Sequence, residues 1–269
     1  MFIYALTACR FISDDAWDPS ERLSTILDHA YVGKSPSDSL DSIYTAILRR
    51  SIESGKGANK KDRVRFSSEF RQVVGAIVVL AKALPSTVLA RLLDIQLRTV
   101  ETRILTLHSV LDVPGNQDSP IRVIHLSFRD FLLDPERCTD EQLRIDGQEA
   151  HNELFKRCLE VMSSLLKPDL CNLEDPATLG DTIDPNVIQL FIAPELQYAC
   201  SYWMYHLEAS RTVLSDNDNL HVFLQKYFLY WFEAVSILGN VSDGIRSVAA
   251  LNLILRVSLR TKDSSIPKS

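Results

Sequence analysis

The chain has 269 residues, 46% of them hydrophobic and 24% charged, a balance that supports a sizeable core and excludes a disordered polypeptide. Its formal net charge of -6 is the wrong sign for a surface that binds nucleic-acid phosphates over its whole extent. At roughly 100–200 residues per domain, the length predicts two or three compact units.

Residues 1–12 read as a buried helix. The run from Met1 to Cys9 has no basic residue ahead of it, and no stretch approaches the ~18 apolar residues of a membrane span, so neither a signal peptide nor an anchor is expected. A chain that opens inside a core helix is expected to have a portion missing before Met1. Pro19 suits the first turn of a second helix carrying Leu23, Ile26, Leu27 and Ala30. Residues 35–39 read as a turn. Leu40, Ile43, Tyr44, Ile47 and Leu48 then recur at the spacing of one helix face. The polar stretch 54–62 marks a boundary.

Three helices follow, over 66–84, from Pro85, and over 98–107. The period then changes. Residues 110–113 and 121–125 look extended, and the Pro/Gly/Asn-rich segment 114–120 joins them as a loop. Three helices and a β-hairpin predict a winged helix-turn-helix. Beyond it, Ala150, Leu154, Cys158, Leu159, Met162, Leu165 and Leu166 form a helical stripe. Pro168, Pro176, Pro185 and Pro194 make 167–194 a loop region. Helices are expected over 196–207, 221–238 and roughly 244–257. The predicted fold is therefore mainly α, with a winged-helix domain over 61–135 between a helical segment (1–60) and a helical domain (136–260), and a disordered tail over 261–269.

The chemistry-bearing residues are sparse. Gly33-Lys34-Ser35 ends like a phosphate-binding loop, but Asp28 stands where the first glycine must be, so it reads as a turn. Ser127, His125 and Asp130 lack a nucleophile elbow. The six histidines and five scattered cysteines show no metal-ligand spacing, and the cysteines read as reduced, buried thiols of a cytoplasmic protein. No catalytic residue, metal or cofactor is expected. A DNA-reading third helix would use Gln96, Arg98, Thr99, Glu101, Thr102 and Arg103. Over 64–134, however, basic Arg65, Arg71, Lys82, Arg91, Arg98, Arg103, Arg122 and Arg129 are nearly matched by acidic Glu69, Asp94, Glu101, Asp112, Asp118, Asp130 and Asp134. That balance makes nucleic-acid binding the runner-up. The aromatic set Tyr198, Tyr202, Trp203, Tyr205, Phe228, Tyr230 and Trp231 reads as core or a docking face.

Several strings in order carry a resemblance: residues 2–12, Leu40-Asp41-Ser42-Ile43-Tyr44, residues 107–114, the run from Ser119 to Leu132, Glu149-Ala150-His151, residues 196–200 and Tyr202-Trp203. Together they resemble the region after the NTPase core of fungal NACHT-type STAND proteins, the NOD-like receptors. The resemblance implies the end of a NACHT module, a winged-helix domain that packs and switches rather than reads DNA, and a further helical domain. It implies a nucleotide-controlled signalling switch, with the NTPase core as partner in cis or trans, possible self-association, and an ADP β-phosphate contact from His125. The family usually has proline after this histidine, whereas Leu126 stands here. The phosphate-binding loop, Mg-binding acidic motif and sensor arginine of the family would precede Met1. His125 alone makes no nucleotide site, because one donor contributes about 1–3 kcal/mol and micromolar binding needs about 8. The expected function is that of a non-catalytic regulatory fragment. If an upstream NTPase core exists, the whole would be an ATP- or GTP-binding switch.

Overall fold

A computed structural model describes residues 2–13, 19–30, 36–53, 60–173, 182–214 and 218–264. Gly33-Lys34-Ser35, most of the 54–62 linker and the end of the tail lie outside these residues. The described residues are mainly α-helical, with twelve α-helices and one two-stranded sheet. They divide into two units, Met1–Ala150 and His151–Ser269.

The first unit opens with α1 (Phe2–Ile12), α2 (Pro19–Ala30) and α3 (Pro36–Glu53). Helix α1 buries Thr7, Ala8 and Phe11 but exposes Leu6 and Cys9, so it is two-faced rather than wholly buried. Arg22 of α2 is buried; it lies 5.0 Å from the Phe11 ring centre and donates to the Phe11 carbonyl, one of the carbonyls a helix end leaves open. In α3 the predicted stripe holds, with Ile43, Tyr44, Ile47 and Leu48 all buried. The helix begins at Pro36, inside the predicted turn.

Helix α4 (Lys60–Val79) starts within the predicted linker and buries Phe70, Val73, Val74, Ile77 and Val78. Helix α5 (Ser86–Leu93) ends at Asp94, whose φ of 53° is left-handed, a conformation aspartate tolerates because its side chain is short and polar. Helix α6 (Leu97–Ile104) runs on through a 3-10 turn at Leu105–Leu107. Strands β1 (Leu111–Asp112) and β2 (Arg122–Val123) pair antiparallel, Leu111 opposite Val123 and Asp112 opposite Arg122. They are two residues long each, shorter than the extended runs in the sequence. The Ile121 amide donates to the Leu84 carbonyl at 2.9 Å, which ties the second strand to the end of the α4 segment. Helix α7 (Leu126–Leu133) follows at once and buries Phe128, Phe131 and Leu132.

Helix α8 (Gly147–Leu165) leads into the second unit, which continues with α9 (Pro185–Phe191), α10 (Pro194–Ser210), α11 (Asn219–Ile237) and α12 (Val241–Ser264). Helix α9 interrupts the stretch expected to be loop. Pro185 there starts a helix instead of breaking one, and the Asp184 side chain caps it by accepting from the Asn186 amide at 2.8 Å. The core of this unit is aromatic. Trp203 and Trp231 are each 1% exposed and meet edge to face at 5.6 Å. From the predicted aromatic set, Tyr198 is also buried, while Tyr205 is exposed.

At Gly244 of α12 an added Cβ would come 2.9 Å from Cγ1 of Val235 on α11. Glycine permits that approach. Gly244→Val is expected to destabilise the protein by about 1–3 kcal/mol through overpacking. A lowered urea midpoint measures it; an unchanged midpoint would refute the close contact. No described helix is long and apolar enough to cross a membrane.

Candidate functional site

His125 occupies the residue before α7, with extended φ and ψ of -144° and 137°. Its Nδ1 accepts from the Ser127 amide at 3.0 Å, so the imidazole caps the helix. Histidine stands outside the usual capping residues, which is why composition did not announce α7. The Ser127 hydroxyl lies 2.7 Å from the same Nδ1 and 2.7 Å from the Tyr44 hydroxyl. Tyr44 is delivered by α3, 83 residues away in sequence. Its ring stands at 5.2 Å from Phe128 and 5.5 Å from Phe131, both on α7. Burial pushes the Tyr44 phenol above its ordinary range, so it remains a protonated donor. Nε2 of His125 makes no hydrogen bond among the described residues. One turn along α7, Arg129 forms no ion pair or hydrogen bond among them either, and its Nε is buried.

The same helix α3 is latched to the segment after α7. Arg137 holds Asp41 with two hydrogen bonds of 2.6 and 3.0 Å, both side chains largely screened from solvent, and Arg49 lies 3.5 Å from Asp140. This bidentate geometry is the strong form of the pair.

The Ser127–His125 contact works as a helix cap. The serine oxygen faces Nδ1 together with its own amide, and no described group orients the ring through Nε2. Asp130 is exposed and bonds neither residue. In the third helix, Arg103 is committed elsewhere: it pairs with Glu69 at 2.8 Å and lies 4.1 Å over Phe66. Glu101 accepts from Gln117 at 2.7 Å, and the Thr102 hydroxyl turns back to the Arg98 carbonyl. That helix offers few unengaged basic side chains.

A second polar cluster lies inside the other unit. Nδ1 of His151 and Nδ1 of His206 are 2.9 Å apart, and the Tyr198 hydroxyl is 2.8 Å from Nε2 of His206. His206 is fully buried. Burial, then the neighbouring His151, push its pKa down to about 3, so it is neutral at ordinary pH. Cys138, Cys158, Cys171 and Cys200 are buried free thiols, whereas Cys9 is exposed. Burial raises the Cys200 thiol to about 12 and that of Cys158 further, which makes both poor nucleophiles. The described residues contain no group of three or more His, Cys, Asp or Glu fit for a metal ion.

No protein-family model matches the chain. No solved structure matches it. The chain is similar to the vegetative incompatibility protein HET-E-1 of Podospora anserina, with 29% identity over 167 residues. That similarity takes in 54% of this chain and 12% of the relative's own length.

Proposed function

We propose that this chain is the non-catalytic regulatory arm of a NACHT-type nucleotide-controlled switch. Helices α4 to α6 with the β1–β2 hairpin serve as its winged helix, which packs against an NTPase core in cis or in trans. His125 donates to a phosphate of ADP when that core is present and helps hold a closed state. The observation that carries this reading is the state of His125: Nδ1 is spent on the α7 cap, and Nε2 is left as an unengaged donor where the resemblance places the nucleotide contact. Arg129, one turn along α7, carries a positive charge with no ion pair among the described residues. The likeness to a vegetative incompatibility protein agrees with a switch used in non-self responses.

The test joins this chain to a NACHT NTPase core and measures ADP affinity by calorimetry. Loss of one donor worth about 1–3 kcal/mol predicts that His125→Ala weakens ADP by about 5–150-fold. Unchanged affinity would remove His125 from the nucleotide. Absence of association with the core, in cis or in trans, would sink the wider reading.

A further inference from the structure

We propose that the Tyr44–Ser127 hydroxyl chain fixes the tautomer of the neutral His125 imidazole, so that its single N–H stands on Nε2, reserved for a phosphoryl oxygen. Tyr44 on α3 is then a positioning residue for a donor that stands at the start of α7. The inference rests on His125 being a ligand contact, and it adds what controls that contact.

The proton count forces the direction of every bond. The Ser127 amide can only donate, and it lies 3.0 Å from Nδ1, so Nδ1 presents a lone pair. Between Nδ1 and the Ser127 oxygen, 2.7 Å apart, the only available hydrogen is then the serine's. A hydroxyl has one hydrogen, so the Ser127 oxygen can only accept from Tyr44, also at 2.7 Å. The Ser127 oxygen thus donates once, to Nδ1, and accepts once, from Tyr44. A neutral imidazole carries one N–H, and with Nδ1 excluded it sits on Nε2. The ligand atom met by Nε2 must therefore be an acceptor, as phosphoryl oxygens are.

The chain also links two elements. Tyr44 is on α3, whereas Ser127 and the His125 cap belong to α7. Moving α3 away from α7 would release the serine hydrogen and with it the fixed donor state of His125.

The test reads the imidazole nitrogens of His125 by side-chain 15N NMR in the labelled full chain. The pH is held at about 8, above the ordinary histidine range near 6.5. The expected wild-type result is one tautomer, protonated on Nε2, with an Nδ1 resonance displaced by hydrogen bonding. Tyr44→Phe keeps the ring against Phe128 and Phe131 and removes only the hydroxyl. It is expected to move the Nδ1 resonance toward that of an unbonded nitrogen. Ser127→Ala is expected to move it further, and Ser127→Thr to bring it back. If Ser127→Ala does not fold, Tyr44→Phe and Ser127→Thr decide. A wild-type proton on Nδ1, or an Nδ1 resonance indifferent to these variants, overturns the proposal. An intact tautomer together with an ADP affinity indifferent to His125→Ala would overturn only the nucleotide reading. A mixed tautomer with His125-dependent ADP affinity would overturn only the positioning chain.

Discussion

Trp203→Ala is expected to destabilise the second unit by about 3–5 kcal/mol, a large part of the ~5–15 kcal/mol that holds an ordinary domain together. The side chain is 1% exposed and packs against Phe155, Phe223 and Trp231. Removing it leaves a cavity that helices α8, α10 and α11 cannot close without distorting one another. Urea unfolding followed by far-ultraviolet circular dichroism measures the loss. The two core tryptophans should separate under substitution by phenylalanine. The indole N–H of Trp231 donates to the Cys200 carbonyl at 3.0 Å, whereas that of Trp203 is buried with no acceptor among the described residues. Trp231→Phe breaks a buried hydrogen bond. Trp203→Phe removes an unsatisfied donor and is expected to be the milder change. The reverse order would show that ring volume, not the N–H, decides both.

The second large effect is acid sensitivity centred on His206. Its folded pKa of about 3 lies below the unfolded value near 6.5, so the unfolded state binds more protons between those limits. His206 therefore contributes its full stability above about pH 6.5, and that contribution falls as pH drops toward 3. The slope approaches about 1.4 kcal/mol per pH unit for one group. The charged imidazole would have to form in a fully buried place against His151, with Tyr198 on its other nitrogen and the Tyr205 ring alongside. Urea midpoints taken from pH 7 downward should fall steeply for the natural chain and less steeply for His206→Gln. Parallel slopes would assign the acid sensitivity to other groups.

Much of the helical layout is visible in residue spacing. Ile43, Tyr44, Ile47 and Leu48 announce the buried face of α3, and the aromatic run from Phe223 to Phe232 announces α11, because helical periodicity is a local property. The change of period after Leu107 marks the hairpin for the same reason. Two helices escaped notice through local chemistry that admits two outcomes. Proline at 185 either breaks a helix or begins one, and only the capping contact from Asp184 shows which. An imidazole caps α7 in place of a small polar side chain, and no composition rule anticipates it.

His125 stood out in the sequence by its motif alone. In the sequence Ser127 reads as a candidate nucleophile and Tyr44 as a member of an apolar stripe, and both lie in strings that carry the resemblance, with nothing there to pair them. Their hydrogen bond spans 83 residues, and the His151–His206 contact spans 55, separations that no residue pattern encodes. The sequence by itself determined most of the segments that become helices, where the chain turns extended, and which histidine follows the second strand. Tertiary structure alone decided that Tyr44 of α3 reaches the Ser127 hydroxyl beside that histidine. It also decided which histidine is forced to stay neutral, because hydrogen bonding and desolvation depend on what packing brings within 3 Å, not on what lies next in the chain.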